Sequence, residues 1–209
     1  MRTHTKDTQQ SLTPERAIEY LKEGNERFVN NLRKDHDLLK QINATSSGQF
    51  PFAAILSCID SRTSAELIFD QGLGDVFSIR IAGNILNDDI LGSMEFACKV
   101  AGSKLIVVLG HTNCGAITGA CNNLQMGYIT TLLDKIKPAM KLETETPAAN
   151  RNAGNPVFLQ NVTVNNVKIT VNEVKRRSEI LALLESEKKI KIIGALYDVE
   201  TGVVKFYDV

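Results

Sequence analysis

Four short runs of apolar, largely β-branched residues constrain the fold of this 209-residue chain more than any other feature. They are residues 52–57 (FAAILS), 76–81 (VFSIRI), 105–109 (LIVVL) and 190–196 (IKIIGAL). Continuous runs of this kind are typical of strands buried on both faces, which occur in parallel sheets. We therefore expect a mostly parallel central sheet of four strands, with the closing VVKFYDV as an edge strand after a hairpin turn at 200–202.

Helical patterns separate these runs, and the alternation predicts an α/β fold with helices flanking the sheet. Apolar residues recur at helical spacing over 63–71, over 88–101 with Gly102 as the residue that ends the helix, and over 178–187. Segment 157–175 is ambiguous. Its β-branched residues favour a strand, while the spacing of its valines also fits a helix.

The chain is long enough for one substantial core, so we expect a single domain over 1–209. Residues 1–12 are polar and are expected to be flexible. Thr13 suits an N-cap and Pro14 the first helical position, which predicts an amphipathic helix over 14–32 within a helical arm over 13–33. Segment 33–50 is polar and is interpreted as a loop.

Composition excludes several classes of function. Lys+Arg and Asp+Glu both number 24, so the basic excess expected of a nucleic-acid binder is missing. No stretch approaches the roughly 18 apolar residues of a membrane-spanning helix, and the N-terminus does not resemble a secretory signal. The four cysteines are sparse, which favours reduced thiols or metal ligands and a cytoplasmic location.

Ligands of open α/β sheets bind outside the carboxyl ends of the strands. Cys58, Asp60 and Arg62 follow the first predicted strand, and His111 and Cys114 follow the third. Two thiolates and an imidazole are soft donors that leave a fourth zinc position open, and Asp60 is a conditional fourth ligand. An Asp60–Arg62 ion pair would keep the carboxylate ionised and oriented.

Other interpretations remain open from spacing alone. A single cysteine is more often a core residue than a ligand, and we interpret Cys98 and Cys121 as structural. Asp60 and Arg62 also fit an ordinary surface ion pair, and a Cys–His pair can act as a nucleophile. His4 and His36 lie in polar surroundings and are expected to be exposed.

The pattern C-x-D-x-R, followed about fifty residues later by H-x-x-C, resembles the signature of β-class carbonic anhydrases. Segment 72–84 (GLGDVFSIRIAGN), the first helix (AIEYLKEGNERFV) and GALYDVETG near the C-terminus are also similar to the family. The resemblance implies reversible hydration of CO2 to bicarbonate and a proton by zinc-bound hydroxide, with one Zn²⁺ per chain. It also implies that the ambiguous segment 157–175 is a helix.

By this resemblance Cys58, His111 and Cys114 are the zinc ligands, and Asp60 and Arg62 form the catalytic pair. In some members the aspartate binds the metal and closes the site. In others the arginine holds it away, and it accepts a hydrogen bond from the metal-bound solvent. Thr63-Ser64 stands where the family more often has Val-Pro, and little chemical effect is expected from that change.

The plant-like subclass adds a glutamine nine residues before the first cysteine, which corresponds to Gln49, and an aromatic pocket matched by Phe77 and Phe96. Phe96 replaces a frequent tyrosine, so a hydroxyl role there is in doubt. The chain has no Trp, unlike members with a regulatory bicarbonate pocket. The resemblance implies a homodimer at minimum or a tetramer, with the arm around the partner and the Gln and aromatic residues reaching across the interface.

Two alternatives stay open: a CS2 or COS hydrolase on the same scaffold, and a non-catalytic homologue that binds zinc or bicarbonate. The substrate partners are then CO2 and bicarbonate in the main interpretation, and neither nucleic acid nor a membrane is expected as a partner.

Overall fold

A computed structural model of the protein describes residues 3–207, which contain a five-stranded sheet in the order β2-β1-β3-β4-β5. The strands are β1 (Ala53–Ser57), β2 (Val76–Arg80), β3 (Leu105–His111), β4 (Lys191–Tyr197) and β5 (Val204–Tyr207). The first four are parallel, and β5 pairs antiparallel with β4. The predicted fold class, a mostly parallel four-stranded sheet with a C-terminal edge strand, is confirmed.

The central strands β1 and β3 are buried along their whole length because core clusters pack on both faces of the sheet. Their register pairs Ser57 with Leu109. The chain therefore leaves β1 at Cys58 beside the point where β3 ends at His111. The parallel pairing by itself brings these two distant parts of the sequence to one edge of the sheet.

Strand β2 lies at the free edge of the sheet and differs from the expected strand buried on both faces. Ser78 and Arg80 are exposed, and the remaining residues of β2 are half-buried. The two polar residues that alternate in VFSIRI are the sequence sign of this edge position, and they distinguish it from the apolar run of β3.

Helices cover both faces of the sheet: α1 (Lys6–Gln10), α2 (Pro14–Val29), α3 (Leu38–Thr45), α4 (Ala65–Ile68), α5 (Asp88–Glu95), α6 (Gly115–Cys121), α7 (Gly127–Asp134), α8 (Lys137–Leu142), α9 (Pro156–Arg177) and α10 (Glu179–Ser186). The four helices expected from periodicity are present as α2, α4, α5 and α10. Thr13 caps α2 as predicted. Helix α5 continues into a π-helical turn, Phe96–Val100, before Gly102 at φ +84°.

Two N-terminal segments are more ordered than the sequence predicts. Within 1–12, expected to be flexible, α1 buries Gln9, whose Nε2 donates to the carbonyls of Pro51 (2.7 Å) and Ala101 (2.9 Å). Residues 1 and 2 lie outside the described part of the chain. Within the expected loop 33–50, α3 buries Gln41, which accepts from the N–H of Leu73 at 3.0 Å. Buried glutamines anchor both helices, and hydrophobic periodicity does not detect such anchors.

The ambiguous segment 157–175 lies inside α9, as the family resemblance implies. Its buried valines pack on β3 and β4, and this tertiary packing outweighs their preference for a strand. Gly110 permits the close approach, because a Cβ at that position would lie 2.6 Å from Val167 Cγ2. Helix α9 thereby packs directly against the residue before His111.

The two histidines outside the predicted site are not exposed, contrary to expectation. The ring of His4 packs against Tyr20 and Phe52, with centroids 5.8 and 5.3 Å away. His36 Nε2 lies 3.1 Å from Asp70 Oδ1, and its side chain is 14% exposed. Both histidines contact residues that are distant in the sequence, and their local sequence does not reveal these contacts.

The remaining cysteines fit the structural interpretation. Cys98 is buried and Cys121 half-buried, and burial raises their pKa values to about 12 and about 11. Both therefore stay as neutral thiols. Among the helices of residues 3–207, none is both long and apolar enough to cross a lipid bilayer.

Candidate metal centre and active site

Cys58, His111 and Cys114 converge at the carboxyl ends of β1 and β3. One ligand atom from each residue lies within 4.8 Å of the others, and all three residues are at most 4% exposed. Cys58 follows β1, His111 ends β3, and Cys114 precedes α6. The convergence that the strand-end rule predicts is therefore present within one chain.

The imidazole of His111 is oriented for metal binding. Its Nδ1 lies 2.8 Å from the carbonyl oxygen of Thr112, so Nδ1 carries the proton and donates to that oxygen. The Nε2 atom is then left with a free lone pair. It is buried and has no hydrogen-bond partner among the described residues. An orphaned buried nitrogen beside two thiols fits a metal ligand, whose other ring nitrogen is typically held in this way.

The two sulfurs form a coupled pair. A hydrogen bond from the Cys114 thiol lowers the pKa of Cys58, and the same bond together with burial raises the pKa of Cys114. The backbone N–H of Gly83, a residue at φ +67°, also donates to Cys58 Sγ at 3.3 Å. Thiolate and imidazole donors favour zinc over the hard cations, and a bound metal would displace the proton that remains on the pair.

Asp60 and Arg62 form a two-pronged ion pair at the rim of the cluster. Asp60 Oδ1 accepts from Arg62 Nε at 2.9 Å and Oδ2 from Nη2 at 2.8 Å, while the Arg62 backbone N–H also donates to Oδ1. Hydrogen bonds from Arg62 lower the pKa of Asp60, which is thus ionised at neutral pH. The carboxylate faces Arg62 and is not one of the three clustered ligands.

Arg80 and Thr63 are neighbours of the site that sequence analysis did not select. Arg80 donates from Nε to the carbonyl oxygen of Cys58 at 3.0 Å and from Nη2 to that of Asp60 at 2.6 Å. Thr63 contacts the same two carbonyls. The sequence signal for Arg80 was an arginine that alternates with apolar residues at the end of β2, and Thr63 was marked only as part of a departure from the family's Val-Pro.

The three substrate-binding candidates lie away from the cluster within one chain. Gln49 is exposed and precedes the amino end of β1, whereas Cys58 follows its carboxyl end. Phe77 pairs with Ala54 in the sheet, also near the amino end. Phe96 is 55% exposed. Phe77 and Phe96 line one groove along the β2 edge, and Arg80 forms part of the same groove.

A polar cavity of about 250 Å³ lies on the Cys114 side of the cluster. Asn113, Asp198 and Glu200 contribute to its walls, and Asn113 Nδ2 lies 3.5 Å from Glu200 Oε1. Asn113 has φ +55°, and its carbonyl accepts from Arg62 Nη2 at 3.4 Å. Solvent thus has a polar path to the rim of the site from this side.

Comparison with known proteins assigns the family. The sequence model described as carbonic anhydrase matches residues 53–204, a span that contains all three clustered residues. The chain is 34% identical to "Carbonic anhydrase 2" of Mycobacterium tuberculosis over 196 residues, which are 90% of each protein. This level of identity extends beyond the site motif to nearly the whole chain.

Solved structures agree at the level of the fold. The β-carbonic anhydrase CafA of Aspergillus fumigatus superposes with a TM-score of 0.74 at 22% identity, covering 93% of this chain and 90% of that one. Two tetrameric β-carbonic anhydrases of Sordaria macrospora give a TM-score of 0.72 at 22% identity, with coverage of 93% and 98%. With its strand order, its thiolate–imidazole cluster and these relatives, the chain belongs to the carbonic anhydrase family, in its β class, and is a carbonate dehydratase.

Proposed function

We propose that this chain hydrates CO2 at one zinc ion held by Cys58, His111 and Cys114. The observation that carries the proposal is the convergence of two thiols and an unpartnered, buried imidazole nitrogen within 4.8 Å. The net reaction is CO2 + H2O ⇌ HCO3⁻ + H⁺. Zinc in such a site supplies a Lewis acid that lowers the pKa of a bound water towards neutrality.

Asp60 is proposed as the hydrogen-bond acceptor that orients the attacking solvent. Because Arg62 lowers its pKa, the carboxylate is ionised and accepts hydrogen bonds rather than donating them. Asp60 Oδ1 accepts two hydrogen bonds from Arg62, whereas Oδ2 accepts one and keeps a lone pair for a further donor. Arg62 fixes the direction of that lone pair, so its role is to position Asp60. The conditional ligation of the metal by Asp60 is proposed only for a state in which this pair is broken.

Gln49, Phe77 and Phe96 are proposed to bind substrate from a second copy of the chain. Strand β1 rises about 3.3 Å per residue, so its five residues separate Gln49 from Cys58 within one protomer. Across a dimer interface, the Gln49 amide would donate to the developing carboxylate and the two phenyl rings would exclude water. This arrangement supports a homodimer at minimum or a tetramer, and the plant-like subclass.

Thiolate ligands must stay reduced to hold zinc, which supports a cytoplasmic location. The same requirement defines how the protein is tested: under reducing conditions, with its zinc content measured before each assay.

Stopped-flow CO2 hydration by zinc-loaded protein tests the proposed function. We expect activity that rises with pH above neutrality, because two thiolates neutralise the zinc charge and acidify bound water less than neutral ligands would. Asp60→Asn is expected to retain zinc and lose about 100-fold in kcat, the cost of a misoriented reacting group.

Zinc-loaded protein without hydration at pH 8.5 would contradict the proposal. Hydrolysis of CS2 or COS by that same preparation would then favour the alternative hydrolase. An inactive but zinc-binding protein would favour the non-catalytic alternative.

A further inference from the structure

The side chain of Thr63 makes contacts next to the site that the mechanism above does not use. The residue is 1% exposed. Its Oγ1 lies 3.0 Å from the carbonyl oxygen of Cys58 and 2.9 Å from that of Asp60, and its backbone N–H donates to the Asp60 carbonyl at 3.0 Å. A hydroxyl carries one proton, so Oγ1 donates to one carbonyl at a time while contacting both.

Arg80 contacts the same two carbonyls. Its Nε donates to Cys58 O and its Nη2 to Asp60 O, and Nη2 also lies 3.5 Å from Thr63 Oγ1. The Thr63 hydroxyl can therefore accept from Arg80 while it donates to a carbonyl. Thr63 and Arg80 together form a polar clamp on the backbone of residues 58–60.

This clamp restrains the backbone of a segment with two chemical roles. Residues 58–60 carry the sulfur of one candidate ligand and the carboxylate of the candidate hydrogen-bond acceptor. Cys58 is 4% exposed and packs in a core cluster, whereas the next side chain, Ile59, is 61% exposed, so packing holds the segment at Cys58 but not at Ile59. The contacts to the two carbonyls oppose rotation of the peptide planes after Cys58, which would move the Asp60 carboxylate relative to Cys58 Sγ.

We propose that the Thr63 hydroxyl is a positioning group, which fixes the backbone of residues 58–60 and so sets the Asp60 carboxylate relative to the metal ligands. The inference deepens the proposed function and rests on it. It replaces the expectation that Thr63-Ser64 has little chemical effect. The effect is confined to Thr63, because among residues 3–207 the Ser64 hydroxyl makes only a 3.4 Å contact, with Glu66.

The chain offers matched variants for a test. Thr63→Val keeps the shape of the side chain and removes the hydroxyl, while Thr63→Ser keeps the hydroxyl and removes a methyl group. Ser64→Ala removes a hydroxyl from the adjacent residue and leaves the clamp intact. The measurements are the rate at which each zinc-loaded protein releases zinc to a chelator, and kcat and KM for CO2 hydration.

Thr63→Val is expected to release zinc about tenfold faster and to lose about tenfold in kcat, the effect of one hydrogen bond. Thr63→Ser is expected to stay within roughly threefold of wild type, and Ser64→Ala to match wild type. Unchanged zinc release and kcat in Thr63→Val would overturn the inference, as would equal losses in the Ser and Val variants.

The test also gives an answer if Thr63→Val does not fold or if the wild type is inactive. If Thr63→Val does not fold, Thr63→Ala replaces it, since it differs from Thr63→Ser only by the hydroxyl, and faster zinc release is expected from the alanine variant alone. If zinc-loaded wild type does not hydrate CO2, the proposed function fails, whereas the zinc-release comparison still decides whether Thr63 positions the segment.

Discussion

The metal-ligand candidates and the substrate-binding candidates differ in how much of their surroundings one chain provides. Cys58, His111 and Cys114 are buried and lie within 4.8 Å of one another. Gln49 and Phe96 are exposed and lie apart from that cluster. The contrast supports the proposal that a single chain holds the metal and that a surface from another copy completes the substrate pocket.

The largest expected effect is on the buried metal-ligand candidates. Cys114→Ser removes one of the three proposed protein ligands. Loss of a residue that only hydrogen-bonds to a metal ligand lowers metal affinity about 10- to 100-fold. Loss of a ligand itself is therefore expected to lower zinc affinity by more than 100-fold. Zinc content per chain after dialysis, followed by CO2 hydration, measures the effect, and both are expected to fall to background.

Cys121→Ser is the matched control, because that thiol is half-buried and stays protonated. It is expected to keep zinc and activity. Full zinc retention in Cys114→Ser would remove Cys114 from the ligand set.

For the exposed substrate-binding candidates we expect a smaller loss, in kcat and not in zinc content. Gln49→Ala is expected to retain zinc but to lose roughly 100-fold in kcat, as when one donor to a developing oxyanion is removed. Loss of zinc from this variant would contradict the contrast between metal-ligand and substrate-binding candidates, because Gln49 would then act on the metal centre of its own chain.

Mixing two impaired variants tests whether Gln49 acts on the metal centre of a neighbouring copy. Cys114→Ser carries an intact Gln49, and Gln49→Ala carries an intact metal centre. If Gln49 serves a neighbouring copy, refolding the two variants together is expected to give activity well above the sum of the two separate variants. Activity that stays at the level of the separate variants would place Gln49 and the metal centre in one chain.

The smallest expected effect is on stability. Arg27, His36 and the backbone N–H of Lys34 all contact the buried carboxylate of Asp70, and this network fastens the N-terminal arm to the body of the chain. Asp70→Asn is expected to lower the free energy of unfolding by about 1–3 kcal/mol while zinc content stays unchanged. Chemical denaturation measures it.

The contacts of Asp70 also predict that the free energy of unfolding depends on pH. Burial raises the pKa of Asp70, but hydrogen bonds from Arg27 and Lys34 outweigh burial and lower it. A lowered pKa in the folded state means that the contribution is complete above the unfolded value, about 3.9, and is lost as pH falls below it. The wild-type and Asp70→Asn stabilities are thus expected to approach each other in acid. Asp88→Asn is the control, because Asp88 is 92% exposed in its pair with Arg177, and a loss as large as that of Asp70→Asn would contradict the argument.

Much of the sheet and of the metal cluster could be predicted from the sequence, because both follow from local signals. Continuous apolar runs identify buried parallel strands, and the strand-end rule then places Cys58 beside His111. The helix α9 could not be predicted from its valines, since packing against β3 through Gly110 decides its structure.

The parts that were missed depend on contacts between distant polar residues. Gln9 and Gln41 anchor helices through backbone groups far along the chain, and His36 is partly buried because Asp70 lies beside it. Thr63 differs from these, because the carbonyls that its hydroxyl contacts are only three and five residues away and are brought to it by the turn after β1. Local periodicity contains no information about such partners.

Zinc K-edge X-ray absorption of the reduced, zinc-loaded protein tests the central claim most directly, because it counts ligand types at the metal. The account predicts two sulfurs at about 2.3 Å and one imidazole nitrogen at about 2.0–2.1 Å, with a light fourth ligand, at one zinc per chain. A shell of nitrogen and oxygen alone, or a single sulfur, would contradict a centre built from Cys58, His111 and Cys114.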